Sequence, residues 1–160
     1  MSEAVDRRAP NKRAGERVEE IITTDRVPKL GPVPDDVAEH HDAVATATVD
    51  PGDDLPMVGL CLLERGTLVE IKSVLVRLSD GARGRFHLRP SQHQRLLEAA
   101  GAYLFVVCES ERRTVLAVKV VPASIVDEHL PEWFDGGDGR EDFAQLSWGR
   151  FFDAEEVGEA

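Results

Sequence analysis

Glu70 and Lys72 are separated by one residue within residues 68–78, a segment rich in valine, isoleucine and leucine that predicts a β-strand. Because side chains alternate between the two faces of a strand, both project from one face, while Val69 and Ile71 project from the other, into the core. A carboxylate beside an ammonium group can hold a divalent cation and steady a water molecule or a phosphate next to it. The pair is therefore a candidate for metal-assisted phosphate chemistry, although the motif taken alone favours a surface salt bridge.

The strand before this pair is predicted at residues 58–63, and Gly66 in the tight turn that follows indicates a β-hairpin over residues 58–78. Counting back from the turn places Cys61 opposite Glu70. A thiol is not a ligand that Mg²⁺ prefers. If the pair binds a metal ion, the second carboxylate must come from another part of the chain.

The remaining segments predict helices and strands around this hairpin. Helices are expected at residues 12–24, from Ser91 to Gly101, and after Pro122 as far as Pro131; Ser91 and Gln94 form an S-x-x-Q capping box. Further strands are expected at residues 42–49, 85–88, 102–108 and 114–121, of which 102–108 is apolar throughout and therefore central. Residues 1–10 predict a flexible tail and residues 11–160 a single domain. This order predicts an α/β fold, a mixed β-sheet flanked by helices.

The succession of hairpin strand, basic loop, capped helix and apolar strand resembles the core of the PD-(D/E)xK superfamily of nucleases, from Asp42 to Val121. The resemblance implies a restriction-endonuclease-like core and cleavage of DNA with Mg²⁺ or Mn²⁺. It assigns metal binding to Glu70 and assistance to the nucleophile to Lys72. A polar residue on the following helix would face the phosphates; by position this is Gln94, and with less support Gln92 or His93.

The family pattern also requires an aspartate upstream of Glu70, and two residues are candidates. Asp54 is nearer in sequence but lies in the turn before the predicted hairpin. Asp42 begins a predicted strand and fits if residues 50–63 form an inserted excursion. The sequence favours Asp42 and leaves Asp54 open.

The charge distribution is uneven. The chain carries a net charge of −11, with fifteen arginines against four lysines, a composition that resembles proteins of salt-loving microbes. Residues 71–97 nevertheless carry six basic residues and a single acid, and are net positive. Arg83, Arg85 and Arg89 are therefore expected to contact the DNA backbone, together with the N-terminus of the Ser91 helix. The alternative is that these arginines pair with acids elsewhere.

These observations favour an Mg²⁺-dependent DNA phosphodiesterase. Two other classes remain: a non-catalytic module of the same fold that binds nucleic acid or protein, and an acidic partner protein with neither metal affinity nor a basic face. The first residues lack the pattern of a signal peptide, no apolar run is long enough to span a bilayer, and the two cysteines have no metal-binding spacing. A cytoplasmic protein with reduced thiols is expected, with the aromatic residues after residue 132 docked onto the domain.

Overall fold

A computed structural model describes residues 8–33, 42–52, 55–59 and 62–159 of the chain. Among these residues it has three α-helices and seven β-strands. A π-helical turn, Ile22–Arg26, extends the first helix, and a 3₁₀ turn, Trp148–Arg150, follows the last strand. In chain order the helices and strands are α1 (Arg8–Ile21), β1 (Leu30–Pro32), β2 (Ala43–Ala45), β3 (Leu68–Leu75), β4 (Arg85–Leu88), α2 (Pro90–Glu98), β5 (Ala102–Cys108), β6 (Val115–Pro122), α3 (Ala123–His129) and β7 (Ala144–Ser147).

The main sheet is mixed, and it confirms the predicted α/β class. Its five strands lie in the order β1-β2-β3-β5-β6, and only β3 and β5 run parallel. One face packs against α1 through Val18 and Ile22, and the other packs against α2 and α3 through Leu96 and Val126. Every residue of β5 is buried, because this strand has neighbours on both edges and helices over both faces. No helix among the described residues has the length and apolarity needed to cross a membrane.

The predicted hairpin over residues 58–78 is wrong. The antiparallel neighbour of β3 is β2, with Ala43 opposite Val69, so the chain makes a long excursion between the two strands. Within that excursion Met57 bridges Val120 and Leu63 bridges Val49, and neither pairs with β3. The small, buried alanines of β2 fit closely beside β3, and tertiary packing of this kind overrides a local turn signal. Cys61 lies outside the described residues.

The predicted capping box at Ser91 is also wrong. Helix α2 begins at Pro90 with Arg89 as its N-cap, and no side chain of the cap residue bonds the first turn. Proline is favoured at the first helical position because it has no N–H to satisfy. At the other end Ala100, with φ 50°, adopts the left-handed conformation, and Gly101 does not. Gly101 is needed for another reason: a Cβ there would lie 2.8 Å from the carbonyl oxygen of Leu68.

A second sheet was not anticipated. Strands β4 and β7 form an antiparallel ribbon, of which only β4 was predicted. The ribbon ends at Trp148, which is fully buried and donates its indole N–H to the carbonyl oxygen of Val76 at 2.9 Å. Phe152 is buried as well, so the expected docking of the C-terminal aromatic residues is confirmed for these two, whereas Phe134 is exposed. The short strand β1 was not among the predicted strands, and α1 begins at Arg8, before the predicted start at residue 12.

Candidate active site

Glu70 and Lys72 lie side by side on β3, as strand alternation predicts. They stand next to Tyr103 and Phe105 of β5, on the face of the sheet that α2 covers, whereas Val69 and Ile71 belong to the core on the α1 face. The Lys72 Nζ atom is 3.3 Å from Glu70 Oε1. Both side chains are largely enclosed, which distinguishes this pair from an exposed surface salt bridge.

The Glu70 carboxyl group is in an unfavourable place for a negative charge. Only 3% of the residue is exposed, and its Oε2 atom is buried without a hydrogen-bond partner. Burial is the main cause that raises the pKa of Glu70 to about 8; the nearby Asp42 carboxylate raises the pKa further, while Lys72 opposes the shift. In the absence of a cation, the carboxyl therefore keeps a proton at neutral pH.

Asp42 reaches Glu70 through the pairing of β2 with β3. Continuing the register from Ala43 opposite Val69 places Asp42 opposite Glu70, and the two carboxyl groups are close enough to share a proton. Two backbone bonds hold Asp42 here: its N–H donates to Val69 O at 3.0 Å, and its Oδ2 accepts the N–H of Ile71 at 2.8 Å. The structure thus brings together Asp42 and Glu70. The other candidate, Asp54, lies outside the described residues.

The helix residue that reaches the site is Gln92. Its Oε1 accepts a hydrogen bond from Lys72 Nζ at 3.1 Å, and the residue is buried. Gln94, the first choice from the sequence, is exposed and donates to Glu98 on its own helix at 3.3 Å. The helical stripe that contains the buried residues Gln92, His93 and Leu96 was the available signal, because it fixes which side of α2 faces the sheet.

Behind the site lies a polar chain that the sequence did not indicate, in which His93 and Tyr103 are buried and Asp127 is exposed. His93 Nε2 lies 2.9 Å from Asp127 Oδ1, and His93 Nδ1 lies 2.9 Å from the Tyr103 hydroxyl. A carboxylate only accepts, so Nε2 donates to Asp127, and in the neutral ring Nδ1 accepts from Tyr103. Burial, with Glu70 and Asp127 nearby, raises the pKa of Tyr103. This chain joins α2, β5 and α3 and keeps the hydroxyl protonated beside the carboxyl group of Glu70.

The three predicted DNA-contacting arginines occupy different surroundings. Arg89 is the N-cap residue of α2, and its charge, like that of Lys72, lowers the pKa of His87. Arg83 lies over the Trp148 ring at 4.3 Å. Arg85 lines a cavity of about 220 Å³ between α1 and the end of β3. Within the described ranges, none of the three forms an ion pair with an acid.

The N-terminus of α2 does not offer the open anion site that the sequence suggested. The backbone N–H of Ser91 donates to Glu141 Oε1 at 2.8 Å, so a carboxylate of the protein already occupies this position.

The carboxylates present fit a divalent cation of the Mg²⁺ type. In the part of the chain that the structure describes, no cluster of three or more histidine, cysteine or acidic side chains is arranged to hold a metal ion. Mg²⁺ typically takes one or two protein carboxylates and completes its shell with water and substrate phosphate oxygens. The buried, unpartnered Oε2 of Glu70 beside Asp42 provides a position of that kind.

Comparison with known proteins extends these observations from the site to the whole chain. Residues 5–153 match the family model of the PD-(D/E)XK nuclease superfamily domain. No curated protein and no solved structure is significantly similar to the chain. Because the family match covers nearly the whole chain, and the sheet that presents Glu70 has the mixed arrangement expected of the restriction-endonuclease-like fold, the chain belongs to the PD-(D/E)XK nuclease superfamily.

Proposed function

We propose that the protein is an Mg²⁺-dependent DNA phosphodiesterase in which Asp42 and Glu70 hold the metal ion and Lys72 orients the attacking water. The observation that carries the proposal is the buried, unpartnered oxygen of Glu70, with Asp42 on one side of the carboxyl group and Lys72 on the other. A carboxyl group that is costly to ionise is tolerated where a ligand compensates its charge, as at catalytic sites.

Glu70, Asp42 and Lys72 have separate proposed roles in hydrolysis. A bound divalent cation would lower the pKa of a water molecule and stabilise negative charge on the phosphate. Glu70 and Asp42 must both be ionised to hold that cation, so Glu70 gives up its proton on binding. Lys72 is held between Glu70 and Gln92, where its ammonium group is positioned to orient the water and to stabilise charge on the scissile phosphate.

DNA is the substrate that the surroundings of the site support. The overall charge of −11 opposes binding of a polyanion, so binding must depend on local cations. Lys72 and Arg89 are such cations, and Arg83 and Arg85 are further basic residues that precede Arg89 in the chain. We place the protein in the cytoplasm, with residues 11–160 as a single domain, because its composition and its free, buried Cys108 suit a reducing compartment.

The decisive experiment is cleavage of labelled DNA by the purified protein with Mg²⁺, with Mn²⁺, and with EDTA. Wild-type protein should cleave only with a divalent cation, and Glu70→Gln should abolish cleavage because it keeps the shape of the side chain but removes its charge. Lys72→Ala should lower turnover while metal binding is retained. Glu64→Gln, at an exposed glutamate, is the matched control and should cleave as the wild type does.

Two outcomes would contradict this proposal. Cleavage that survives Glu70→Gln, with an unchanged circular dichroism spectrum, would place the active site elsewhere. Absence of cleavage by the wild type with every divalent cation, in protein that still binds DNA, would favour the non-catalytic module.

A further inference from the structure

The ribbon of β4 and β7 has one buried and one exposed face. Phe86 and Leu88 of β4 are buried in the core, as are Ala144 and Leu146 of β7. The intervening residues point outward: Arg85 and His87 on β4 and Gln145, which pairs with His87, on β7. The exposed face is therefore polar and basic along β4.

Three aromatic rings form a row across this exposed face. The ring centroids of His87 and Phe143 are 5.1 Å apart with an interplanar angle of 15°, and those of Phe143 and Phe134 are 5.8 Å apart. Two backbone hydrogen bonds, of 2.7 and 2.9 Å, fix Phe134 beside Phe143. Phe134 is 52% exposed, the largest exposed fraction among the large apolar residues of the described chain. We call His87, Phe143 and Phe134 the aromatic row.

The aromatic row begins on β4, a strand that contacts β3, where the proposed catalytic lysine lies. Burial, followed by the charges of Lys72 and Arg89, lowers the pKa of His87, which favours its neutral ring at physiological pH. Continuing the register of the ribbon places Arg89 opposite Phe143. Residues 135–142, the loop that joins Phe134 to Phe143, carry four acids, Asp135, Asp138, Glu141 and Asp142, and one base, Arg140.

We propose that the aromatic row receives the base of one unpaired nucleotide, so that the substrate class is DNA with a single-stranded end or overhang next to the cleaved bond. This inference rests on the proposed function and narrows it. Flat rings bind nucleobases by stacking, irrespective of base identity, and the adjacent Arg89 and Lys72 match the charge of the phosphate. A base inside a duplex already has both faces covered by its neighbours, so it cannot use the row.

The charges around the row also limit how much DNA it accepts. Arg89 and Lys72 act on His87, where a phosphate would approach, whereas the net negative loop between Phe134 and Phe143 repels further phosphates. The row therefore suits one or two nucleotides next to the site and not a long single strand.

The test is binding in EDTA, which separates recognition from cleavage. Fluorescence anisotropy would compare a blunt duplex with the same duplex carrying a two-nucleotide overhang that contains 2-aminopurine. Wild-type protein should prefer the overhang and quench the 2-aminopurine, because stacking quenches this base. Phe134→Ala should weaken overhang binding by about tenfold and remove the quenching, with blunt-duplex binding unchanged. Phe134→Trp should retain both, and Leu116→Ala, an exposed apolar residue on β6, is the matched control.

Salt dependence distinguishes stacking from charge. Phe134→Ala should leave the slope of log affinity against log salt concentration unchanged. Arg89→Ala should make that slope shallower by about the amount that one phosphate contact contributes. Equal affinity for both duplexes, or quenching that survives Phe134→Ala, would overturn the inference even if the protein cleaves DNA. A preference for the overhang that depends on Phe134, in protein that never cleaves, would support the aromatic row and contradict the proposed function instead.

Discussion

Asp42 lies opposite Glu70 on neighbouring antiparallel strands, and the two carboxyl groups are close enough to share a proton. Two adjacent carboxylates repel each other strongly in a buried place unless a proton or a cation lies between them. In the metal-free protein Glu70 keeps a proton, because burial, and to a lesser extent the Asp42 carboxylate, raises its pKa to about 8. A proton and a divalent cation therefore compete for the same position.

Asp42→Asn tests whether this aspartate completes the site. The amide keeps an oxygen that can accept the Ile71 N–H but removes the charge. Cleavage rates should fall by about 100-fold or more, because metal-assisted stabilisation of a phosphate transition state amounts to several kcal/mol. Asp50→Asn, at an exposed aspartate, should cleave at the wild-type rate. The measurement is the initial rate of cleavage in Mg²⁺. An active Asp42→Asn protein would mean that Asp42 is not required and would favour Asp54 as the second carboxylate.

The raised pKa of Glu70 predicts that the metal-free protein loses stability as pH rises. The carboxyl group binds its proton more tightly in the folded state than in the unfolded state, where the pKa is about 4.5. The contribution of this group is therefore fully present below pH 4.5, declines between pH 4.5 and about 8, and is lost above that. Glu70→Gln removes the ionisation, so relative to wild type it should become more stable across this range, by on the order of a few kcal/mol at pH 8.

Urea denaturation of both proteins in EDTA, at several pH values, measures this difference and cancels the titration of other groups. A difference in the free energy of unfolding that is constant between pH 5 and pH 8 would show that Glu70 ionises normally in the folded protein.

Metal binding should show the opposite pH dependence. Because Mg²⁺ requires ionised Glu70 and competes with its proton, the rise in Tm that Mg²⁺ produces should increase from pH 6 to pH 8. Glu70→Gln should abolish that rise, and Lys72→Ala should preserve it, since the lysine is not a ligand. A Tm shift in Mg²⁺ that does not change with pH, or that persists in Glu70→Gln, would mean that the cation binds elsewhere.

Local sequence signals located most of the structural elements, and Glu70 with Lys72 could be found from them. Strand alternation fixes the shared face of the two side chains, and the wholly apolar β5 can only be a strand buried on both faces. The sequence could not determine which strands pair when they lie far apart in the chain. The turn signal at Gly66 competed with the pairing of β2 and β3, which depends on packing between residues far apart in the chain.

The same limit explains the errors on α2. A capping box is a local pattern, whereas the actual start of the helix involves Pro90 and a carboxylate from Glu141, which lies beyond β6 and α3. Choosing between Gln92 and Gln94 requires the side of the helix that faces the sheet, which is set by the buried residues His93 and Leu96. Strand β7 and the aromatic row likewise depend on the return of the chain to β4, for which no local signal exists.

Gln92 and Gln94 provide a matched pair for the last prediction. They occupy the same helix two residues apart, but Gln92 Oε1 accepts a hydrogen bond from Lys72 at 3.1 Å, whereas Gln94 is exposed and bonds Glu98. Gln92→Ala removes the hydrogen bond that helps to position the Lys72 ammonium group. We therefore expect kcat to fall by about 10- to 100-fold. KM and the Mg²⁺-induced rise in Tm should change little, because the metal ligands remain and substrate binding depends on other residues. Gln94→Ala should leave kcat, KM and stability at wild-type values. Steady-state kinetics on the three proteins separate the possibilities: equal losses in both variants would indicate a general effect on α2, and no loss in either would remove Gln92 from the positioning of Lys72.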